Sequence, residues 1–168
     1  MRRNQRFLHF LVVCGVGGFS SLGNAQSYCI SHEGAKLHVT ADENSKVQWK
    51  PAIYTPVLGT GNRKEIHGIM WAEVLDSDSR KFWAQKHDLT TKLSCLVISV
   101  RRTILKSDPD GKHGNGKAKV AQRHEAFIDL GGEDGWTRVK DKSGGIFWVN
   151  LDHTWKAKNK MRISFEEK

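Results

Sequence analysis

The sequence predicts an all-β protein, two small barrels in tandem behind an N-terminal export signal. Three observations carry that prediction. A stretch of about twenty residues recurs 65 positions away in the 168-residue chain. The apolar segments are four to six residues long and are separated by Gly, Asn and Asp, which is strand length and turn chemistry. The first 25 residues pair an arginine-rich start with a short apolar run, which sets them apart from the rest.

The N-terminal segment comes first. Arg2, Arg3 and Arg6 form a positive region, Phe7 to Phe19 is mostly apolar, and Gly23, Asn24 and Ala25 supply small residues for cleavage after Ala25. This reads as a secretory signal peptide over residues 1–25. The apolar run is too short for a transmembrane helix and no second one follows, so no integral membrane segment is expected in the mature chain. Cys14 follows Val13 where a lipoprotein signal needs a small residue, which argues against a lipid anchor. Loss of three arginines lowers the net charge from +9 to +6. That balance favours anionic partners without naming one, and a solvated lysine-biased surface accounts for it equally well.

The repeat organises what remains. "DGWTRVKDKSGGIFWVNLDH" lies over "IMWAEVLDSDSRKFWAQKHD" when moved back 65 positions. Trp136 then falls on Trp71, Val139 on Val74, Asp141 on Asp76, Phe147 on Phe82 and Trp148 on Trp83. Upstream, "LHVTADENSKV" from Leu37 corresponds to "TILKSDPDGKHGNGKAKV" from Thr103, with a longer first loop in the second copy. The two cysteines keep the same distance from these starts. Each copy then offers about five short strands in 60 residues, and closing them into a barrel removes exposed edges. The boundaries expected are 26–92 for the first barrel and 93–168 for the second with its basic C-terminal tail. "LSCLVISVRR" between them is apolar, a stiff junction and not a Gly/Ser linker. After Thr154, the basic tail ends in a strand-like "RISF".

Each copy resembles the bacterial SH3 (SH3b) domain of exported proteins. The residues that carry the resemblance are "LHVTADENSKV", "IMWAEV" and "FWAQ" in copy one, and "TILKSDPDGKHGNGKAKV", "DGWTRV" and "FWVN" in copy two. It extends from about Leu37 to His153 and is closer in copy two, since copy one lacks the glycine before its first Trp and has Ala84 where Val is usual. The resemblance implies two SH3-like barrels that bind peptides or cell-wall material, often as a targeting module beside an enzyme.

Strand periodicity assigns the faces. Thr137, Val139, Phe147, Val149 and Leu151 share the inward side of copy two, and Phe82 with Ala84 that of copy one. Trp136, Arg138, Lys140 and Trp148 then look outward, as do Trp83 and its neighbours Lys81 and Gln85. The candidate ligand-binding residues are Trp136, Arg138, Lys140, Trp148, Trp71 and Trp83. Aromatic surfaces of this kind dock proline-rich peptides or stack on sugar rings, and the two cations would attract carboxylates. The competing reading makes the same tryptophans plugs of barrel ends or of the seam between barrels.

No catalytic constellation is present, so the expectation is a protein that is not an enzyme, with no cofactor. The histidines are scattered, none at an H-x-x-x-H spacing, and no C-x-x-C occurs, so no metal site is expected. "DPDGKHGNG" fails the EF-hand register, and the glycine-rich pieces lack the strand-to-helix context of a phosphate loop. Cys29 and Cys95, exported, are expected to form a disulfide, two free thiols being the alternative. The chain then reads as a periplasmic or secreted binding module for peptidoglycan peptides or an envelope protein, with no role on nucleic acid. The alternatives are an inhibitor or immunity-type partner of an exported wall-degrading enzyme, and a secreted host-interacting factor.

Overall fold

The computed structural model of the chain describes residues 25–108 and 118–158. The expected signal peptide up to Asn24, residues 109–117 and the stretch from 159 with "RISF" lie outside the described residues. Within them the protein is all-β: fourteen strands and two 3₁₀ turns.

The first sheet joins β1 (Gln26–Ile30), β2 (Leu37–His38), β3 (Val47–Trp49), β4 (Pro56–Ile66), β5 (Ile69–Leu75), β6 (Lys81–Gln85) and β7 (Leu89–Thr90) in the order β3-β2-β6-β5-β4-β1-β7. The second joins β8 (Cys95–Ile98), β11 (Ala126–Asp129), β12 (Trp136–Lys140), β13 (Ile146–Asn150) and β14 (Thr154–Trp155) as β13-β12-β11-β8-β14. A hairpin of β9 (Arg102–Leu105) and β10 (Lys119–Gln122) joins it through reciprocal backbone bonds between Lys106 and Trp148, at 2.9 and 2.7 Å. With that bridge the second barrel runs β10-β9-β13-β12-β11-β8-β14, strand for strand the order of the first.

The duplication extends to single hydrogen bonds. Ile30 donates to Thr55 O and accepts from Tyr54 N, while Ile98 donates to Glu125 O and accepts from His124 N. Tyr54 and His124, at φ of 68° and 69°, make the same left-handed corner. Asp76 Oδ1 accepts from the amides of Asp78 and Arg80, as Asp141 Oδ1 does from Ser143 and Gly145. Side chains at i accepting from the next amides are what closes such turns.

These bonds correct three expectations. Seven strands build each barrel, because β1 and β7, and likewise β8 and β14, add to the five expected. "CLVI" of the apolar junction is β8 of the second barrel itself, buried between β11 and β14. The upstream alignment also moves by two residues: Ile30 matches Ile98, and the Lys106–Trp148 bridge against His38–Trp83 makes Leu37 match Leu105, not Thr103. The cysteines are therefore out of step, Cys29 matching Val97. They face one another across the seam instead, and the Cys29–Cys95 disulfide, with Cα atoms 5.9 Å apart, joins β1 to β8. Closing 66 residues of chain contributes about 4 kcal/mol in the chain-entropy treatment.

Each barrel has its own core. Tyr28, Ile30, Leu37, Val57, Val74, Phe82, Ala84 and Leu89 fill the first, and Leu96, Ile98, Leu105, Ala121, Phe127, Val139 and Val149 the second. Volumes are exchanged between matched positions: Val57 and Ala84 of the first become Phe127 and Val149 of the second, and Phe147, unlike buried Phe82, is pushed to the margin. Trp49 packs on Phe82 with ring centroids 5.7 Å apart. The inward readings of Thr137, Val139, Val149, Phe82 and Ala84 agree with their burial, while Phe147 and Leu151 are half-buried.

Candidate functional site

A groove of about 470 Å³ opens on the second barrel, lined by Arg102, Ile104, Lys106, Val120, Trp136, Asn150 and His153 among others. Its floor is set by the loop that delivers Trp136. Across the loop neck Leu130 N donates to Arg138 O, and Arg138 N donates to Gly131 O. A Cβ at Gly132 would lie 2.1 Å from the Trp136 carbonyl oxygen, so only glycine lets the loop turn this tightly. Gly135, at φ +80°, then leads into β12.

Trp136 is half-buried, and the Lys106 ammonium sits 4.4 Å from its ring centroid. Ile104 and Val120 project beside it at 56% and 51% exposure, on the solvent side of the β9–β10 hairpin. Asn150 Oδ1 caps the second 3₁₀ turn (Leu151–His153) by accepting from Asp152 N. His153 Nδ1 meets Thr103 Oγ1 at 2.8 Å, which fixes the far wall. The groove thus combines an aromatic face, an apolar shelf and two cations, Lys106 and Arg102.

The other sequence-derived candidates fall in different places. Arg138 and Lys140 are exposed on the Trp136 face of β12 but do not line the groove. Trp148, paired with Arg138 across the hairpin, is half-buried and also outside it. Trp83 is half-buried beneath Lys64, whose ammonium lies 5.0 Å from its ring. Trp71 is a correction: it is fully buried and offers no ligand a face. His38, itself buried, packs edge-on against it at 5.2 Å, and the long β4 arm pairs Lys64 with Trp71. Among the described residues its indole Nε1 has no hydrogen-bond partner. The expected surface pair of tryptophans in the first barrel is therefore not there.

Charged groups elsewhere on the second barrel are pinned. Burial works to raise the Asp141 carboxyl, but the Lys119 ammonium at 3.0 Å and the amides of Gly145 and Ser143 outweigh it and hold it below the ordinary range. Asp129 behaves the same way: burial opposes Lys156 at 2.7 Å, Thr137 and the Gly131 amide, and the net direction is down. Lys119 is raised, its burial overcome by Asp141 and Glu125.

A second set of groups was invisible to spacing arguments. His32, His87 and Asp88 come together on the first barrel, with ligand atoms all within 4.8 Å of one another. The signal available in the sequence was only the His-Asp pair after β6; that His32 joins it depends on β1 ending beside the first 3₁₀ turn (Lys86–Asp88).

No protein-family model matches the chain, and neither does any curated protein. Among solved structures, NlpC1 from Trichomonas vaginalis is similar over 80% of this chain at 16% identity, with a TM-score of 0.34. The chain spans 47% of that protein's length. Among the described residues no helix is long and apolar enough to cross a membrane.

Proposed function

We propose that the protein is an exported, non-catalytic binding module whose second barrel docks an extended peptide bearing carboxylates, either a peptidoglycan peptide or a segment of an envelope protein. The observation that carries this reading is the Trp136 groove with the Lys106 ammonium on the ring. An extended peptide can lay an apolar residue on Trp136, Ile104 and Val120 while its carboxylate reaches Lys106 and Arg102. A ligand preorganised in an extended form loses little entropy on docking there. The disulfide fits an oxidising, periplasmic or extracellular setting.

The test pairs sedimentation with purified peptidoglycan and capture from envelope extract. Retention by either ligand, lost in Trp136→Ala with the melting temperature within a few degrees of wild type, is the expected result. Protein capture in 1:1 stoichiometry without wall retention would favour the inhibitor-type alternative. Retention unaffected by Trp136→Ala and by Lys106→Met would sink the groove as the site.

A further inference from the structure

We propose that the first barrel carries a divalent transition-metal site, zinc in the first place, built by His32 Nε2, His87 Nε2 and Asp88 Oδ1. Both imidazole Nε2 atoms lie 3.2 Å from the same carboxylate oxygen. A tetrahedral zinc ion with ligand bonds near 2.05 Å separates its ligand atoms by about 3.3 Å, so two of the three edges already have the length the ion needs. Two histidines and one carboxylate with a fourth position open is a donor set that suits zinc and its late-transition neighbours, not the hard cations Ca²⁺ and Mg²⁺.

The surroundings place these atoms with more care than an exposed ion pair requires. Asp88 is buried, its side chain at 7% exposure, while His32 and His87 stand at 47% and 66%. The acid is thus rooted and the two rings, stacked with centroids 6.0 Å apart, are reachable from solvent. Ser31 supplies the outer support. Its amide donates to Asp88 O at 2.9 Å and its hydroxyl donates to His87 O at 3.1 Å, tying β1 to the turn that carries both other ligands. With its proton so used, the Ser31 oxygen faces His32 Nδ1 at 3.2 Å as an acceptor. That arrangement puts the ring proton on Nδ1 and leaves the Nε2 lone pair toward Asp88, the tautomer a metal ligand needs. The three ligands open into a cleft of about 280 Å³ that also holds Glu43 and Lys36. Glu43, which accepts from Gln85 Nε2 at 3.3 Å, lines the same cleft, with Lys36 as an opposing charge.

The matched turn of the second barrel does not repeat the set. Ser99 N donates to His153 O as Ser31 N does to Asp88 O, so Asp88 matches His153 and His32 matches Val100. An apolar residue at the first ligand position confines the site to the first barrel. This inference stands apart from the Trp136 groove and does not depend on it.

The experiment is zinc chloride titrated into the purified mature chain, read by competition with a zinc-chelating dye and by metal analysis after desalting. One zinc per chain is expected, with no comparable binding of Ca²⁺ or Mg²⁺. His32→Ala and His87→Ala should each weaken zinc at least tenfold with the fold intact, since both side chains are exposed. Ser31→Ala, which keeps all three ligands, should weaken it by about tenfold through loss of orientation. A chain that binds no zinc overturns the proposal and leaves two histidine–carboxylate contacts on Asp88. So does zinc binding that is unchanged in both histidine variants, since the ion would then sit elsewhere.

Discussion

Asp88, Gln85 and His38 of the first barrel occupy the positions that His153, Asn150 and Lys106 hold in the second, and both sets line a groove at the matched turn of their barrel. The backbone hydrogen bonds are the same; the linings are not. In the second barrel Trp136 comes up into the groove, with a lysine on its face and apolar side chains beside it. In the first, Trp71 stays under the surface, His38 covers it, and the opening above is filled with histidines and acids. The difference comes from one insertion. Between the matched residues Leu58 and Ile128 and the matched tryptophans, the first barrel has five more residues, which extend β4 and β5 into an arm that pairs Lys64 with Trp71. With Lys64 paired beside it in the arm and His38 packed edge-on against its ring, Trp71 is core, and the rim above is free to take up other chemistry.

Replacing the two tryptophans breaks or keeps that comparison with the largest effect. Trp71→Ala should destabilise the protein by about 3–5 kcal/mol, as truncation of a large buried aromatic does. Trp136→Ala should cost under about 1 kcal/mol and act on binding instead. Urea denaturation of both variants checks this. Equal losses would mean that Trp136 is as much core as Trp71 and that the grooves do not differ. Trp71→Phe sharpens the point: it removes volume but also removes the unpartnered buried Nε1–H, a group that costs about 1–3 kcal/mol to bury. It should therefore be much milder than Trp71→Ala.

The hairpin turns supply a middle-sized test. Asp76 is paired inside its own turn, with Arg80 at 2.7 Å four residues on. Asp141 makes the same amide contacts but takes its cation, Lys119, from β10, so it ties the hairpin to another strand. The Asp141 and Asp129 carboxyls are held below their ordinary value of 3.8. Their contribution is therefore full above that value and is lost as pH falls through the lower folded-state value. Stability should drop on acidification from about pH 4 downward. Asp141→Asn keeps an acceptor for Ser143 and Gly145 but loses the charge opposite Lys119. It should cost about 1–2 kcal/mol at neutral pH and flatten the acid limb. A limb as steep as wild type by acid titration of the unfolding midpoint would remove Asp141 from the account.

Much of this was legible before the fold, and the reasons divide cleanly. The 65-residue repeat, the hairpin faces and the inward set Thr137, Val139 and Val149 follow from periodicity, because strand alternation is local. The disulfide followed from compartment, not from position, and the cysteines proved to be unmatched in the repeat. Trp71 was misplaced because alternation says which face of a sheet a residue occupies and not whether another element covers it. Lys106, Ile104 and Val120 were passed over for the same reason: the β9–β10 hairpin comes to Trp136 through a single bridge to Trp148. The trio of His32, His87 and Asp88 joins the two ends of the first barrel, a relation no spacing rule contains.

The smallest effect separates electrostatics from shape inside the second groove. Lys106→Met keeps the length of the side chain and its contact with the Trp136 ring but removes the ammonium 4.4 Å from the ring centroid. An exposed cation–aromatic contact is worth about 0.5–1 kcal/mol, so stability should change by less than that. If the groove takes carboxylates, the loss appears in binding, and it appears at low ionic strength more than at high, because an exposed charge interaction is screened by salt. Arg138→Met, on the Trp136 face of β12 but outside the groove, is the control, and it should leave binding within about twofold. Equal losses from the two substitutions would mean that the general basic surface recruits the ligand and that the groove adds no selection of its own. A loss confined to Lys106→Met and shrinking with added salt ties recognition to a cation on an accessible tryptophan, which the first barrel lacks at Trp71 because that ring is buried.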